Sequence, residues 1–492
     1  MNALHRDLKK LINMCLEKES TKVNSDEYRL KYHLMPPIGW LNDPNGLCQF
    51  KGEYHVFYQY SPFEANGGLK FWGHYKSKDL INWDDLGAEI YPDNPYDIHG
   101  VYSGSTFVEN DKMYLYYTGN VKEAGDYDYI NNGRQHNTIM FTSDDGVNFG
   151  NKKLIFKNID YPKNMTCHIR DPKVFKHKDI YYMVLGARDK GDKGCILLYK
   201  SYDLENWDLL NTIYSKENFG FMWECPDMFG LTDKITNESK TILCISPQGI
   251  EKDGYKYNNI YQSGYFLGNI DFNNGNFEFD NFIELDRGFD FYAPQTFIDE
   301  SGRTILIGWM GLPDIEDDYY NNYPTVRNGW QHALTIPRAL ELKNNKLYQI
   351  PVEELKKLRK NHINKELSNI NYYDELKSEI YELNIEFNGK DVDFELKLKE
   401  DCILDYNKDK KLISLKLGAS GYGRKLRAVH IDKLESIQVF ADTSSLEIFI
   451  NNGEEVFTTR IYPKIDKDKI ILKGELDNIK INLYELGEYN YV

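Results

Sequence analysis

At 492 residues the chain exceeds one ordinary core and predicts two to four domains. A formal net charge of −16 argues against nucleic acid or an anionic membrane as partner, while 38 Tyr and 25 Phe lean toward β structure. The seven cysteines include no CxxC and no Cys/His cluster at zinc spacing, which predicts free thiols in a reducing compartment.

The first residues lack the continuous apolar stretch of a secretory leader. Leu4, Leu8, Leu11, Ile12, Cys15 and Leu16 recur instead at helical spacing, so residues 1–27 are expected to hold an amphipathic helix that packs on the body. No run is long enough for a membrane span, and a cytoplasmic protein is the expectation.

Next comes Trp40-Leu41-Asn42-Asp43-Pro44-Asn45-Gly46. Pro fixes φ, Gly permits φ > 0, and Asn and Asp can bond their own backbone, so this stretch predicts a stiff turn at a strand entrance, aiming Asp43. The same construction returns as Ser103-Gly104-Ser105, Asp171-Pro172-Lys173, Cys225-Pro226-Asp227 and Ala293-Pro294-Gln295, each leading into two strands. A second motif follows the first four copies: Ser77 to Trp83, Ser143 to Phe149, Ser201 to Trp207 and, more weakly, Asn273 to Phe277. Five units spaced by roughly sixty residues, each worth about four strands, predict a five-bladed β-propeller over 28–345 rather than stacked sandwiches. Periodicity then places Asp43, Ser103, Asp171, Glu224 and Ala293 around one end of the central channel.

Residues 346–375 suggest a charged linker with helical character. Clean alternation resumes at Tyr381 to Phe387, Asp393 to Leu398 and Leu446 to Ile450 before the Asn451-Asn452-Gly453 turn. Residues 376–492 are therefore expected to form a C-terminal β-sandwich, making the chain all-β.

The chemistry converges on Asp43, Asp171 and Glu224. Glu224 lies in the apolar run Phe221 to Pro226, which predicts a raised pKa and a protonated acid. An ionised carboxylate beside a protonated one suits glycosidic cleavage. Trp40, Trp72 and Trp223 offer stacking faces, and Asn42, Gln59 and Ser103 offer partners for sugar hydroxyls. A metal site is the competing use of three acids, but no ligand spacing supports it, and neither metal nor cofactor is expected.

At these residues the sequence resembles glycoside hydrolase family 32, the invertases and β-fructosidases. The likeness rests on Trp40 to Gly46, Phe57-Tyr58-Gln59-Tyr60, Phe71-Trp72-Gly73-His74, Tyr102-Ser103-Gly104-Ser105, Arg170-Asp171-Pro172, Trp223-Glu224-Cys225-Pro226 and Phe291 to Gln295. The resemblance implies Asp43 as nucleophile, Glu224 as general acid and base, and Asp171 as transition-state stabiliser. It also implies substrate binding by Trp40, Leu41, Asn42, Gln59, Trp72, Tyr102, Ser103 and Arg170. Retention of configuration follows, with nucleophile and acid about 5–5.5 Å apart. Within the family the chain is similar to bacterial sucrose-6-phosphate hydrolases, which implies hydrolysis of sucrose 6-phosphate, and of sucrose, by a monomer or homodimer. Lys70, Arg134 and His136 are the candidates for a phosphate site. The alternatives are a hydrolase of fructans or fructo-oligosaccharides and, more distantly, a sugar-binding propeller without catalysis.

Overall fold

The computed structural model describes residues 2–217, 219–313 and 322–491. Five antiparallel blades follow one another along the chain. Blade I comprises Gly39–Phe50, Glu53–Ser61, Phe71–Ser77 and Asn82–Ile90. Blade II comprises Val101–Glu109, Lys112–Lys122, Arg134–Ser143 and Lys153–Phe156, and blade III Met165–His177, Ile180–Asp189, Gly194–Ser201 and Asp208–Ile213. Blade IV is built on Met222–Thr232, Ser239–Gln248, Gly264–Asp271 and Asn276–Phe279, and blade V on Tyr292–Ile298, Thr304–Met310, Arg338–Lys343 and Lys346–Pro351. The first strand of each blade touches the first strand of the next, and that of blade V returns to that of blade I. This closed ring is a five-bladed propeller, and closure is what shields the inner strand edges.

The outer turns repeat almost atom for atom. Asp79 Oδ1 accepts from the amides of Ile81 and Asn82 while Asn82 Nδ2 donates to Oδ2 at 2.8 Å. Asp145 and Asn148, then Asp203 and Asn206, reproduce the arrangement at 2.7 and 2.8 Å. Trp83, buried behind the first of these turns, donates its indole N–H to Leu80 O. The expected plug at the blade's outer end is present.

The second domain packs two six-stranded sheets face to face. Leu383, Ile385, Leu396, Leu404, Val439, Ile448 and Ile481, drawn from both sheets, share one core. One expectation needs correction. Residues 346–375 are not a helical linker: Lys346–Pro351 is the last strand of blade V, only Glu353–Leu358 is a short helix, and Arg359–Leu367 and Ile370–Lys377 are sandwich strands. The alternating charges there belong to solvent-facing strand positions. The N-terminal helix runs over Ala3–Asn24, longer than its apolar spacing implied, and buries Leu8, Ile12 and Val23 against the body. Among the described residues no helix is long and apolar enough to cross a membrane.

Candidate active site

Asp43 does not sit on a turn before a strand. Gly39–Phe50 is one continuous strand whose register against Glu53–Ser61 slips between Leu41 and Pro44 and again between Asn45 and Cys48. Pro44 cannot donate to the ladder, and Gly46 takes φ +53°, so the strand bulges where a flat one would pair. The first strand of every other blade slips in the same place. In blades III, IV and V the residue before Pro is held left-handed: Asp171 at φ 63°, Cys225 at 47° and Ala293 at 47°. Such backbone is costly for these residue types and occurs where side chains are re-aimed at a site.

The bulges surround a cavity of about 740 Å³ lined by Trp40, Asn42, Asp43, Gln59, Tyr102, Ser103, Arg170, Asp171 and Glu224, with Lys70, Arg134 and His136 farther along its wall. Most of the residues singled out from sequence are thus brought together. Leu41, Trp72 and Trp223 are not. Leu41 is fully buried in the blade core, and Trp72 lies beneath the floor with its indole N–H donating to Tyr102 O at 3.0 Å. Trp223 points between blades and donates to Phe219 O at 2.7 Å. Alternation along a strand turns these rings inward, so of the three expected stacking faces only Trp40 reaches the cavity. Ala293 is buried behind the mouth, its amide on Ser246 Oγ, and its neighbour Tyr292 faces the cavity instead.

Asp43 is aimed by a relay from blade I to blade II. Trp40 Nε1 donates to Asn42 Oδ1 at 3.0 Å, and Asn42 Nδ2 donates to Asp43 Oδ1 at 3.1 Å and to Gln59 Oε1 at 2.8 Å. Gln59 Nε2 donates to Ser103 Oγ, which donates to Asp43 Oδ2, both at 2.5 Å. Burial raises the Asp43 pKa, the Ser103 bond opposes that, and Glu224 adds to it. Asp171 Oδ2 accepts the Cys225 amide at 2.9 Å. The Cys225 thiol lies 3.5 Å from Asp43 Oδ2 and 3.6 Å from Asp171 Oδ2, and burial keeps it protonated. It is a donor between two acids, not a nucleophile.

Glu224 is not in an apolar pocket. Arg170 Nη2 and Nε donate to its Oε1 at 2.6 and 3.0 Å, and Gln248 Nε2 and the Tyr292 hydroxyl donate to its Oε2 at 2.7 Å each. Trp223, the largest of the apolar neighbours that suggested otherwise, packs between the blades. Arg170 therefore serves Glu224 more closely than Asp171, whose Oδ2 is 3.9 Å from Nε. Burial pushes Asp171 up to about 7, Arg170 opposing and Glu224 and Asp43 adding to the rise. Asp171 is thus the acid of this cavity whose proton is held closest to neutrality.

Sequence reasoning missed Tyr292, Gln248 and Trp309. Tyr292 had a signal: it stands one position before the left-handed residue of its blade, as Arg170 and Glu224 do in theirs, and these three side chains meet. Gln248 arrives only through its strand register opposite Met222, and Trp309 through its ring, 5.8 Å edge-on from Trp40.

A propeller whose bulged inner strands converge two aimed carboxylates and a hydrogen-bonded glutamate on a polar cavity is built as a glycoside hydrolase. The chain belongs to glycosyl hydrolase family 32: the family's N-terminal domain matches residues 33–351 and its C-terminal domain residues 352–482. It is 40% identical over 474 residues to a sucrose-6-phosphate hydrolase of Bacillus subtilis, covering 94% of this chain and 95% of that one. Among solved structures, a sucrose-6-phosphate hydrolase from Lactobacillus gasseri superposes with a TM-score of 0.84 at 31% identity, over 97% of each chain. A mutant Bombyx mori GH32 beta-fructofuranosidase in complex with sucrose superposes with a TM-score of 0.82 at 30% identity, over 99% of each chain.

Proposed function

We propose that the protein is a retaining β-fructofuranosidase that hydrolyses sucrose 6-phosphate, and sucrose, to fructose and glucose 6-phosphate or glucose. The observation that carries this reading is the Asn42–Gln59–Ser103 relay, which holds both oxygens of a buried carboxylate and leaves Asp43 aimed into the cavity beside Glu224. Asp43 attacks the anomeric carbon of the fructosyl unit. The glycosidic oxygen leaves as Glu224 protonates it, giving a covalent fructosyl-enzyme. Glu224, now a base, takes a proton from water, which attacks the same carbon from the face the leaving group vacated. Asp171, held by the Cys225 amide, accepts from fructosyl hydroxyls and strengthens as positive charge develops on the ring. Trp40, Asn42, Gln59, Tyr102, Ser103 and Arg170 shape the substrate's seat. Leu41 and Trp72 contribute from behind, through packing and the floor.

The seven cysteines are free, and all but Cys15 are buried, which fits the cytoplasm as the proposed compartment. Two measurements test the reading. Methanol trapping of the intermediate gives methyl β-fructofuranoside if configuration is retained; an α product excludes the nucleophile role of Asp43. kcat/KM on sucrose 6-phosphate, sucrose and the fructo-oligosaccharide kestose should rank in that order, and a preference for kestose would exclude the phosphate ester as substrate.

A further inference from the structure

In a chain of formal charge −16, neighbouring strands of blade II beside the cavity carry two cations, Lys122 and Arg134. Lys122 and Arg134 stand directly opposite one another on neighbouring strands, so their side chains leave on one face about 4.5–5.5 Å apart at Cβ. Like charges so placed repel, and among the described residues no carboxylate lies between them. The nearby acids are engaged elsewhere. Glu123 accepts from Gln135 Nε2 at 3.0 Å on the opposite face, and Asp128 closes its own loop through Ile130 and Asn131 at 2.8–3.0 Å.

Arg134 lines the cavity, and its Nε is buried without a partner. Two residues along the same face, His136 is 1% exposed, and neither ring nitrogen has a partner. Burial first, then Arg170, His168, Arg134 and Lys122, hold His136 well below its usual pKa.

We propose that Arg134, with Lys122 behind it at the rim, receives the 6-phosphate of sucrose 6-phosphate. The inference rests on the β-fructofuranosidase reading, because that reading fixes direction. Glu224 stands at the leaving oxygen, so the glucosyl unit and its phosphate lie on the Glu224 side. From Glu224 the contacts run outward through Arg170 to His168 Nδ1 at 2.8 Å, then from His168 Nε2 to Tyr129 O at 3.1 Å. Lys122 Nζ sits 5.7 Å from the Tyr129 ring centre, at the end of that path. Arg134 supplies the planar fork that matches two phosphate oxygens, and Lys122 supplies a point charge. Lys70 is on the wrong side. Its ammonium lies 5.2 Å from the Trp40 ring centre, and burial lowers it to about 8 against Asp43, the charged neighbour it faces.

The test reads kcat/KM for sucrose 6-phosphate divided by kcat/KM for sucrose, so that losses common to both substrates cancel. The wild type should favour the phosphate ester at least tenfold. Arg134→Gln should lower the ratio at least tenfold, Arg134→Lys should restore part of it, Lys122→Gln should lower it two- to fivefold, and Lys70→Gln should leave it in place. If the wild type prefers the phosphate ester and Arg134→Gln keeps that preference, the phosphate is read elsewhere and the proposed function stands. A wild-type ratio near one sinks the substrate reading and this site together. Should Arg134→Gln not fold, Lys122→Gln at its exposed position carries the decision: an unchanged ratio overturns the site.

Discussion

Two clusters of buried acids sit in this molecule, one at the cavity and one where the domains meet, and they are built to opposite rules. At the domain junction Arg338 reaches Asp286 at 3.2 Å, Glu447, and Thr458 Oγ1 at 2.7 Å. His33 bridges Asp442 at 2.8 Å and Glu447 at 3.0 Å through its two ring nitrogens. Every one of these side chains is fully buried. Burial outweighs Arg338 at Asp286, which stays raised, but His33 and Arg338 hold Asp442 and Glu447 below the usual carboxylate range, and burial's downward pull on His33 is outweighed by its two acids. At the cavity burial raises Asp43 and Asp171, and the acids beside them add to the rise. A buried carboxylate with its charge fully met holds structure, and one left short of positive charge is available for chemistry.

The sharpest way to break this contrast is to neutralise one member on each side. Asp43→Asn should cut kcat by at least ~10⁴-fold, since a nucleophile is lost outright, while equilibrium binding of sucrose persists. Turnover within tenfold of wild type would remove Asp43 from the mechanism. Arg338→Met should instead leave Asp286 buried without a cation and Glu447 with His33 as its remaining one, costing roughly 3–5 kcal/mol of stability. Urea unfolding should show the loss, with sucrose turnover retained by the protein still folded at low temperature. If stability is unchanged, the junction cluster does not hold the domains as its geometry indicates.

The propeller was legible because one bulge per blade needs Pro, Gly or Ser at a fixed place, and the outer turns need Ser and Asp, so backbone requirements wrote a period into the chain. The three acids were legible for the same reason, as they sit on or beside those bulges. The surroundings of Glu224 were misread because neighbours in sequence are not neighbours in a strand: Trp223 packs into the blade interface, while Arg170, Gln248 and Tyr292 come from three other strands. Residues 346–375 misled in a similar way, since exposed strands of a sandwich edge carry the charges of a solvated helix. Tyr292 could have been found by aligning the blades one position earlier, whereas Gln248 depends on register alone.

Smaller changes sharpen the comparison. Ser103→Ala removes the bond that lowers Asp43, so kcat/KM should fall about 10–100-fold, in line with a lost hydrogen bond to a charged group. Because Asp43 must be ionised to attack and the variant raises it further, the acidic limb of the pH–rate profile should move to higher pH. A limb that stays in place would mean that another group controls it.

The smallest effect is also the one that separates the clusters most cleanly, because it has opposite signs in the two. Asp43 is raised above its unfolded value of 3.8, so its charged form costs stability at neutral pH, and that cost disappears once the pH is below 3.8 and both states are protonated. Asp43→Asn should therefore raise Tm at pH 7, by about 1 °C for each kcal/mol in a chain of 492 residues, with the gain shrinking as the solution is acidified. Asp442 is lowered, so its contribution is present above 3.8 and is lost as pH falls through its folded value. Asp442→Asn should lower Tm at pH 7, and its deficit should close only in stronger acid. His33 runs the other way from Asp442: its stabilisation is complete below 6.5 and fades as pH rises through its raised value. Scanning fluorimetry of both Asn variants from pH 4 to pH 8 decides the matter. Asn substitutions of one sign at both positions would mean that charge balance does not distinguish the cavity from the junction.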